Sequence, residues 1–187
     1  EIFPNRPDLL CAETLAHAIR PFIHGQEAQP NLIVVDGDIS IAVDASLADV
    51  RPVILGAVVR GVDVGQTEEQ QQQFIKSLME HQEKLHFALA RGRRRASIGV
   101  HDLSSLAPPF KVVTVARDYS FIPLAKTEEM TIEEILKEHP KGVDYAHLLD
   151  GMETVPIILD ANNAVLSFPP IINGDHTTVS DSSTDFF

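Results

Sequence analysis

Residues 155 to 174 read VPIILDANNAVLSFPPIING, and the reading of this stretch decides the fold. "VPIILD" and "VLSF" are short apolar runs, and "ANNA" between them is a turn, so together they predict a β-hairpin. The second arm then meets Pro169 and Pro170, two isoleucines and Asn173-Gly174. Proline has no N–H to give a sheet ladder, so no central strand runs through that pair. The rigid bend fixes the path of the chain, and Asn-Gly permits a positive φ and close approach of another backbone. Two roles fit such a bend: a corner of the core, or the wall of a pocket. In a pocket, exposed backbone N–H groups would meet a carbonyl or a water, with Ser167 on the strand before them.

Working outward, "ASIGV" (96–100) and "FKVVTVA" (110–116) read as short strands. "MTIEEILKEH" carries the capping box Thr131-x-x-Glu134, with Ile132, Ile135 and Leu136 facing inward from a helix. Upstream, Phe74, Leu78, Leu85 and Leu89 draw one apolar stripe along a helix from about Glu68 to Ala90, ended by Gly92. "RPVILGAVVRGV" (51–62) is nearly continuous in β-branched residues and suits a central strand. "NLIVVDGDISIAVD" (31–44) predicts a hairpin about an Asp-Gly turn. The first helix takes Asn5 as cap, Pro7 in its first turn and Asp8 at its positive end, and Pro21 stops it near Arg20. The tail "TTVSDSSTDFF" is polar with a closing aromatic pair, like a strand just beginning. This order of elements predicts an α+β fold, a mixed and largely antiparallel sheet covered by helices. Residues 1–50 form a lead-in helix and hairpin, and 51–187 the main domain.

The 187 residues, 44% hydrophobic and 22% charged, suffice for one domain with a sizeable core, with or without a small appendage. No apolar run approaches the ~18 residues that span a bilayer, which excludes membrane-spanning helices. The N-terminus lacks the basic-then-apolar order of a secretory signal, and its Glu1 in place of Met points to processing or to a piece of a longer chain. A single cysteine, Cys11, makes no internal disulfide, and a reducing, cytoplasmic setting is the simple reading. The net charge of −12 disfavours non-specific nucleic-acid binding. The exception is local: "ARGRRRA" packs Arg91, Arg93, Arg94 and Arg95 into five residues. Either they solvate a helix end and complement its dipole, or they hold phosphates in one defined pose.

The usual catalytic signatures are missing. There is no G-x-G-x-x-G, no P-loop and no pair of cysteines for zinc, so no metal site is expected. His81 and His86 are five apart rather than four, which excludes an H-E-x-x-H site. His86, near the end of the long helix, and His101, just after "SIGV", are candidates to border a cleft or simply structural histidines. No serine occupies a nucleophile elbow, and Cys11 has no evident base. Covalent catalysis is unsupported.

"NRPDLL", "QEKLH", "RGRRRASIGVHDL", "PPFK", "HPKGVDYAHLL" and "VLSFPPIINGDH" occur in one order along the chain. In that order they resemble the beta subunit of archaeal and eukaryotic-type phenylalanyl-tRNA synthetase, specifically its editing domain and the segment leading into it. The resemblance implies a proofreading activity: hydrolysis of tyrosine esterified to phenylalanine tRNA, in a pocket remote from aminoacylation. A second site that partners the extra hydroxyl achieves what one apolar pocket cannot. On this resemblance the Pro-Pro bend and Asn-Gly turn form the wall and floor of that pocket. Ser167, Pro169, Pro170, Asn173 and Gly174 match its strand and turn. Ile158 or Leu159 supplies an apolar wall, and His86 and His101 border it.

The catalytic group is unassigned, and a positioned water is expected to cleave the ester. The resemblance further implies phenylalanine tRNA as partner, which would give Arg91, Arg93, Arg94 and Arg95 a contact role, and an alpha subunit in the complete enzyme. Editing would need no cofactor, ATP and magnesium serving only an aminoacylating core absent from these motifs. In the family an acidic residue on a strand after a segment like "STDFF" recognises the tyrosine hydroxyl, and this sequence stops short of that strand. The alternative reading is a non-catalytic tRNA-binding or subunit-interaction domain of the same synthetase.

Overall fold

The computed structural model describes residues 2–3, 5–25, 33–48 and 50–187. The chain divides into two compact units, each assembled from two stretches: Glu1–Asp36 with Val64–Ile98, and Gly37–Asp63 with Gly99–Phe187. The sequence boundary expected near residue 50 falls inside the first stretch of the second unit.

The first unit is helical. A 3-10 turn, Pro7–Leu10, leads into α1 (Ala12–His24), whose N-cap is Cys11 rather than Asn5. α1 does not stop near Arg20. It runs through Pro21 for one more turn and is closed by Gly25, at φ 63, whose N–H bonds the Pro21 carbonyl. A proline costs the helix one N–H, and so near the end the remaining turn survives. α2 (Glu68–Ala88) begins as its sequence predicts, with a capping box in which Thr67 and Gln70 satisfy each other's backbone N–H.

The second unit carries the sheet. Its strands are β1 (Ile41–Val43), β2 (Phe110–Ala116), a small separate pair β3 (Ser120–Phe121) and β4 (Met130–Thr131), then β5 (Thr154–Leu159), β6 (Val165–Phe168) and β7 (Ile172–Asn173). The main sheet has the order β1-β2-β5-β6-β7, and within it only β1 and β2 run parallel. Helices α3 (Ile132–Glu138) and α4 (Pro140–Tyr145) lie between β4 and β5 in the chain. The class is α+β with a largely antiparallel sheet, as expected. Successive residues of β5 enter different cores. Val155, Ile157 and Leu159 join a cluster with Phe121, Ile132, Ile135 and Phe168, whereas Ile158 joins Leu47, Phe110, Val112 and Leu166. The two clusters therefore occupy opposite faces of β5.

Three expected strand features are corrected. The hairpin over 31–44 is not formed: residues 31 and 32 lie outside the described residues, 33–37 carry no strand, and β1 pairs with β2 instead. Residues 51–62 form no central strand, only a bridge between Val59 and Phe186. This segment packs Ile54 and Val58 onto the second cluster, and Gly56 leaves no room for a Cβ beside Ile41 and Phe187. Ile54 and Val58 thus serve side-chain packing rather than a ladder, while Val53, Leu55 and Val59 are exposed. "ASIGV" is likewise not a strand, although His101 just beyond it exchanges both backbone hydrogen bonds with Phe187, at 2.9 and 3.0 Å.

The corner between α3 and α4 depends on one close approach. A Cβ at Gly142 would lie 1.7 Å from the Ile135 carbonyl oxygen, so backbone would have to move. Gly142→Ala should cost about 3 kcal/mol or more, at the upper end of overpacking effects, despite alanine's better helix propensity. Urea titration of the two proteins measures this, and an unchanged midpoint would mean that the corner relaxes freely.

Candidate functional site

The site is built by an irregularity in the β5–β6 pairing. Leu159 opposes Val165 but Ile158 opposes Ser167, so one partner step on β5 spans two residues on β6 and Leu166 is the extra one. Directly opposed residues share a face. Val165 thus lies with Leu159 in the first cluster, while Ser167 lies on the Ile158 side. Without the bulge, strict alternation would put Ser167 with Val165. β7 continues the pattern, with Asn173 opposite Ser167 and Ile172 opposite Phe168.

A single cross-strand row results: Val43, Val112, Ile158, Ser167, Asn173. It is apolar for three strands and polar for the last two. Ser167 Oγ donates to Asn173 Oδ1 at 3.0 Å, and Asn173 Nδ2 donates to the Val100 carbonyl at 3.4 Å. Ser167 is only 7% exposed, whereas Asn173 is half-buried. Of the two apolar candidates, Ile158 stands opposite Ser167 and Leu159 points into the other cluster. Pro169 is half-buried and Pro170 buried, in a turn closed by the Ile171 N–H on the Phe168 carbonyl at 2.8 Å.

Gly174 is not in a left-handed conformation: its φ is −71. Glycine is required there by close approach, since a Cβ would lie 2.0 Å from the Val165 carbonyl oxygen. Its N–H bonds the Leu166 carbonyl at 2.8 Å, tying the turn to the bulged residue.

Behind the turn lies a residue the sequence did not single out. Thr177, fully buried, donates its one hydroxyl proton to the Gly174 carbonyl at 2.9 Å. Its oxygen then accepts from His101 Nδ1 at 2.9 Å. This chain of bonds fixes the His101 tautomer and holds the Asn173–Gly174 turn from within. His101 therefore supports the turn through Thr177. The sequence offered no signal for this, because Thr177 opens a polar tail that reads as solvated. That tail is itself held: Ser183 Oγ donates to Asp102 at 2.5 Å, and the Leu103 N–H bonds the Asp185 carbonyl at 3.0 Å.

His86 belongs to the first unit, where its Nε2 accepts the Ile98 N–H at 2.7 Å and its Nδ1 meets Glu83 at 3.3 Å. In the same unit Arg93 is buried and bonds Glu83 at 2.7 Å, while Arg91, Arg94 and Arg95 are exposed. A cavity of about 310 Å³ in the second unit is walled by Tyr119, Phe121, Ile122, Val165, Asp175 and His176. It opens beside Val165 rather than along the Ser167–Asn173 row. Among the described residues, no helix is long and apolar enough to cross a membrane.

These features define an α+β domain whose candidate site is the one polar stretch of an otherwise apolar sheet row. All 187 residues align, at 45% identity, with the phenylalanine–tRNA ligase beta subunit of Methanococcoides burtonii, of which they cover 34%. Identity to the same subunit of Methanosarcina acetivorans is 46%, covering 33% of it. An N-terminal fragment of the phenylalanyl-tRNA synthetase beta subunit from Pyrococcus horikoshii superimposes with a TM-score of 0.86 at 32% identity, over 98% of this chain and 51% of that one. No family model matches the chain. The phenylalanine–tRNA ligase beta subunits are thus homologues of the whole chain, which spans about a third of their length.

Burial, and secondarily the neighbouring His176, push the His101 imidazole down to about 4 from 6.5. The folded protein therefore binds this proton later than the unfolded chain as pH falls. The resulting stability is whole above pH 6.5 and is lost progressively towards pH 4, by about 3 kcal/mol in all. His101→Gln should flatten that part of the stability-against-pH curve, measured by denaturant unfolding at pH 4.5, 5.5 and 7. A curve parallel to the parent's would remove His101 as the group responsible.

Proposed function

We propose that this chain is the editing part of a phenylalanine–tRNA ligase beta subunit and hydrolyses tyrosine wrongly esterified to phenylalanine tRNA. The observation that carries this reading is the polar Ser167–Asn173 pair closing the apolar Val43–Val112–Ile158 row. Homology to the beta subunits supplies the RNA partner, and the alpha subunit of the complete enzyme follows from the same relationship.

Ser167 is a poor nucleophile here. Its proton goes to an amide oxygen, and no base accepts from it. His101, behind the turn, is engaged with Thr177. Water is then the attacking group. Its oxygen adds to the ester carbonyl carbon, and the carbonyl electrons move onto oxygen. Collapse expels the ribose oxygen, which takes up a proton, leaving free tyrosine and intact tRNA. Bringing ester and water together, with amide donors near the developing oxyanion, lowers the barrier without a cofactor. Ile158 packs the apolar part of the amino acid, and the Asn173 amide orients the polar part.

Purified intact synthetase and the 187-residue chain should both be incubated with tyrosyl- and phenylalanyl-tRNA. Preferential release of tyrosine supports editing. Absence of release from the intact enzyme would leave the non-catalytic, RNA-holding reading in its place. Asn173→Ala in the intact enzyme should slow tyrosine release about tenfold, the worth of roughly one hydrogen bond, with melting temperature changed by only a few degrees. Unchanged release by that variant would move the site elsewhere.

A further inference from the structure

The end of α2 is built as a rigid knuckle. Arg91, Gly92 and Arg93 are consecutively left-handed, with φ of 51, 62 and 65. Two of the three are non-glycine residues, for which this conformation is costly. Tight bonding holds it. The Gly92 N–H bonds the His86 carbonyl at 2.8 Å, the Arg95 N–H bonds that of Ala90 at 3.0 Å, and buried Arg93 grips Glu83. A plain helix C-terminus needs only a glycine and no buried arginine. The consequence of this arrangement is display: Arg91, Arg94 and Arg95 are exposed, and so is Lys84 on the last turns of α2. None of the four forms an ion pair among the described residues, in a chain carrying 27 acidic side chains. One turn before the knuckle, Phe87 is 80% exposed, and its carbonyl accepts the Gly92 N–H at 3.2 Å.

We infer that this knuckle is a binding surface for single-stranded RNA, in which Lys84, Arg91, Arg94 and Arg95 hold phosphates and Phe87 stacks on a base. Cations tracking a backbone beside an aromatic platform are the combination by which single strands are held without sequence preference. An aromatic side chain among the cations suits a strand that has bases to stack as well as phosphates. An anionic lipid surface offers no base to stack on, and its attraction rises simply with the number of cations. The long-range field of an acidic chain repels both, but is screened within ~8 Å at physiological salt, which leaves contact chemistry to decide. The inference rests on the proposed function only for its RNA partner, and not on ester hydrolysis. It extends the expectation for the arginines by removing Arg93 from the contact set and adding Phe87.

The test uses the intact synthetase with an unacylated tRNA transcript, a twelve-nucleotide single-stranded RNA, and vesicles containing phosphatidylserine. Affinity is measured at several salt concentrations. Replacing Arg91, Arg94 and Arg95 together by Gln should lower the salt slope by about two, at roughly 0.7 per single-strand phosphate. Phe87→Ala should weaken binding of both RNAs about tenfold with the slope unchanged, and Phe87→Trp should restore it. Arg93→Gln should lower the melting temperature while leaving the slope alone. An unchanged slope in the triple variant, full affinity in Phe87→Ala, or tighter binding to vesicles than to RNA would each overturn the inference. Loss of slope in an enzyme that fails to release tyrosine would sink the editing reading and uphold this one.

Discussion

The site depends on one extra residue in one strand. Leu166 has no partner on β5, and from that point β6 presents its side chains to the opposite faces. The cost of a disrupted ladder is offset by what the insertion arranges. Leu166 itself is fully buried in the second cluster, and its carbonyl accepts the Gly174 N–H. Ser167 moves off the side of Val165 and onto the side of Ile158. Were the register to slip by one residue, a hydroxyl would enter the cluster around Leu159, and Phe168 would leave that cluster for the other face. The flanking apolar residues make that slip expensive, so the bulge is fixed by the cores on both faces rather than by anything local.

Support for the turn after β6 follows a similar logic. Asn173 and Gly174 are held on one side by Val100, remote in sequence, and on the other by Thr177, three residues past Gly174, which is itself backed by the remote His101. Buried polar groups are tolerable only when satisfied, and Thr177 is satisfied because one hydroxyl proton and one imidazole proton point the same way along the chain of bonds. Depression of the His101 proton affinity by burial belongs to the same arrangement: a neutral ring keeps its tautomer, whereas a charged one would pay desolvation next to His176.

Legibility in the sequence tracked how local the determining physics was. α2 and α3 were readable because caps and apolar stripes are short-range, and both capping boxes are present. The β5–β6 hairpin was readable from two apolar runs about "DANNA", whose turn is secured by the Asp160 carboxylate on the N–H groups of Asn162 and Ala164. Residues 51–62 were misread because a β-branched run signals an extended chain but does not name a ladder partner, and here Ile54 and Val58 pack without one. The choice between Ile158 and Leu159 was open for the same reason. It turns on a bulge, which is a relation between two strands and leaves no mark in either. The left-handed arginines and the burial of Thr177 are invisible to composition altogether.

Two opposite uses of buried charge and polarity separate the two units. In the second, polar groups are drawn into an apolar sheet and satisfied there by uncharged partners, which leaves Asn173 as the polar member of the row that is half open to solvent. In the first, one guanidinium is drawn inside instead, that of Arg93, where it meets the half-exposed carboxylate of Glu83, while Arg91, Arg94 and Arg95 stay outside. A buried arginine that loses its acid leaves an uncompensated charge, so the pair is demanding of geometry even where it adds little net stability. That demand is what a conformation with two left-handed arginines requires, since each non-glycine residue there persists only while surrounding bonds over-determine it. An ion pair exposed at both ends would be worth ~1 kcal/mol or less, and it is the burial of the Arg93 end that makes the geometry strict. The burial of one arginine and the exposure of three are therefore a single structural decision: the charge taken inside fixes the frame on which the others are carried.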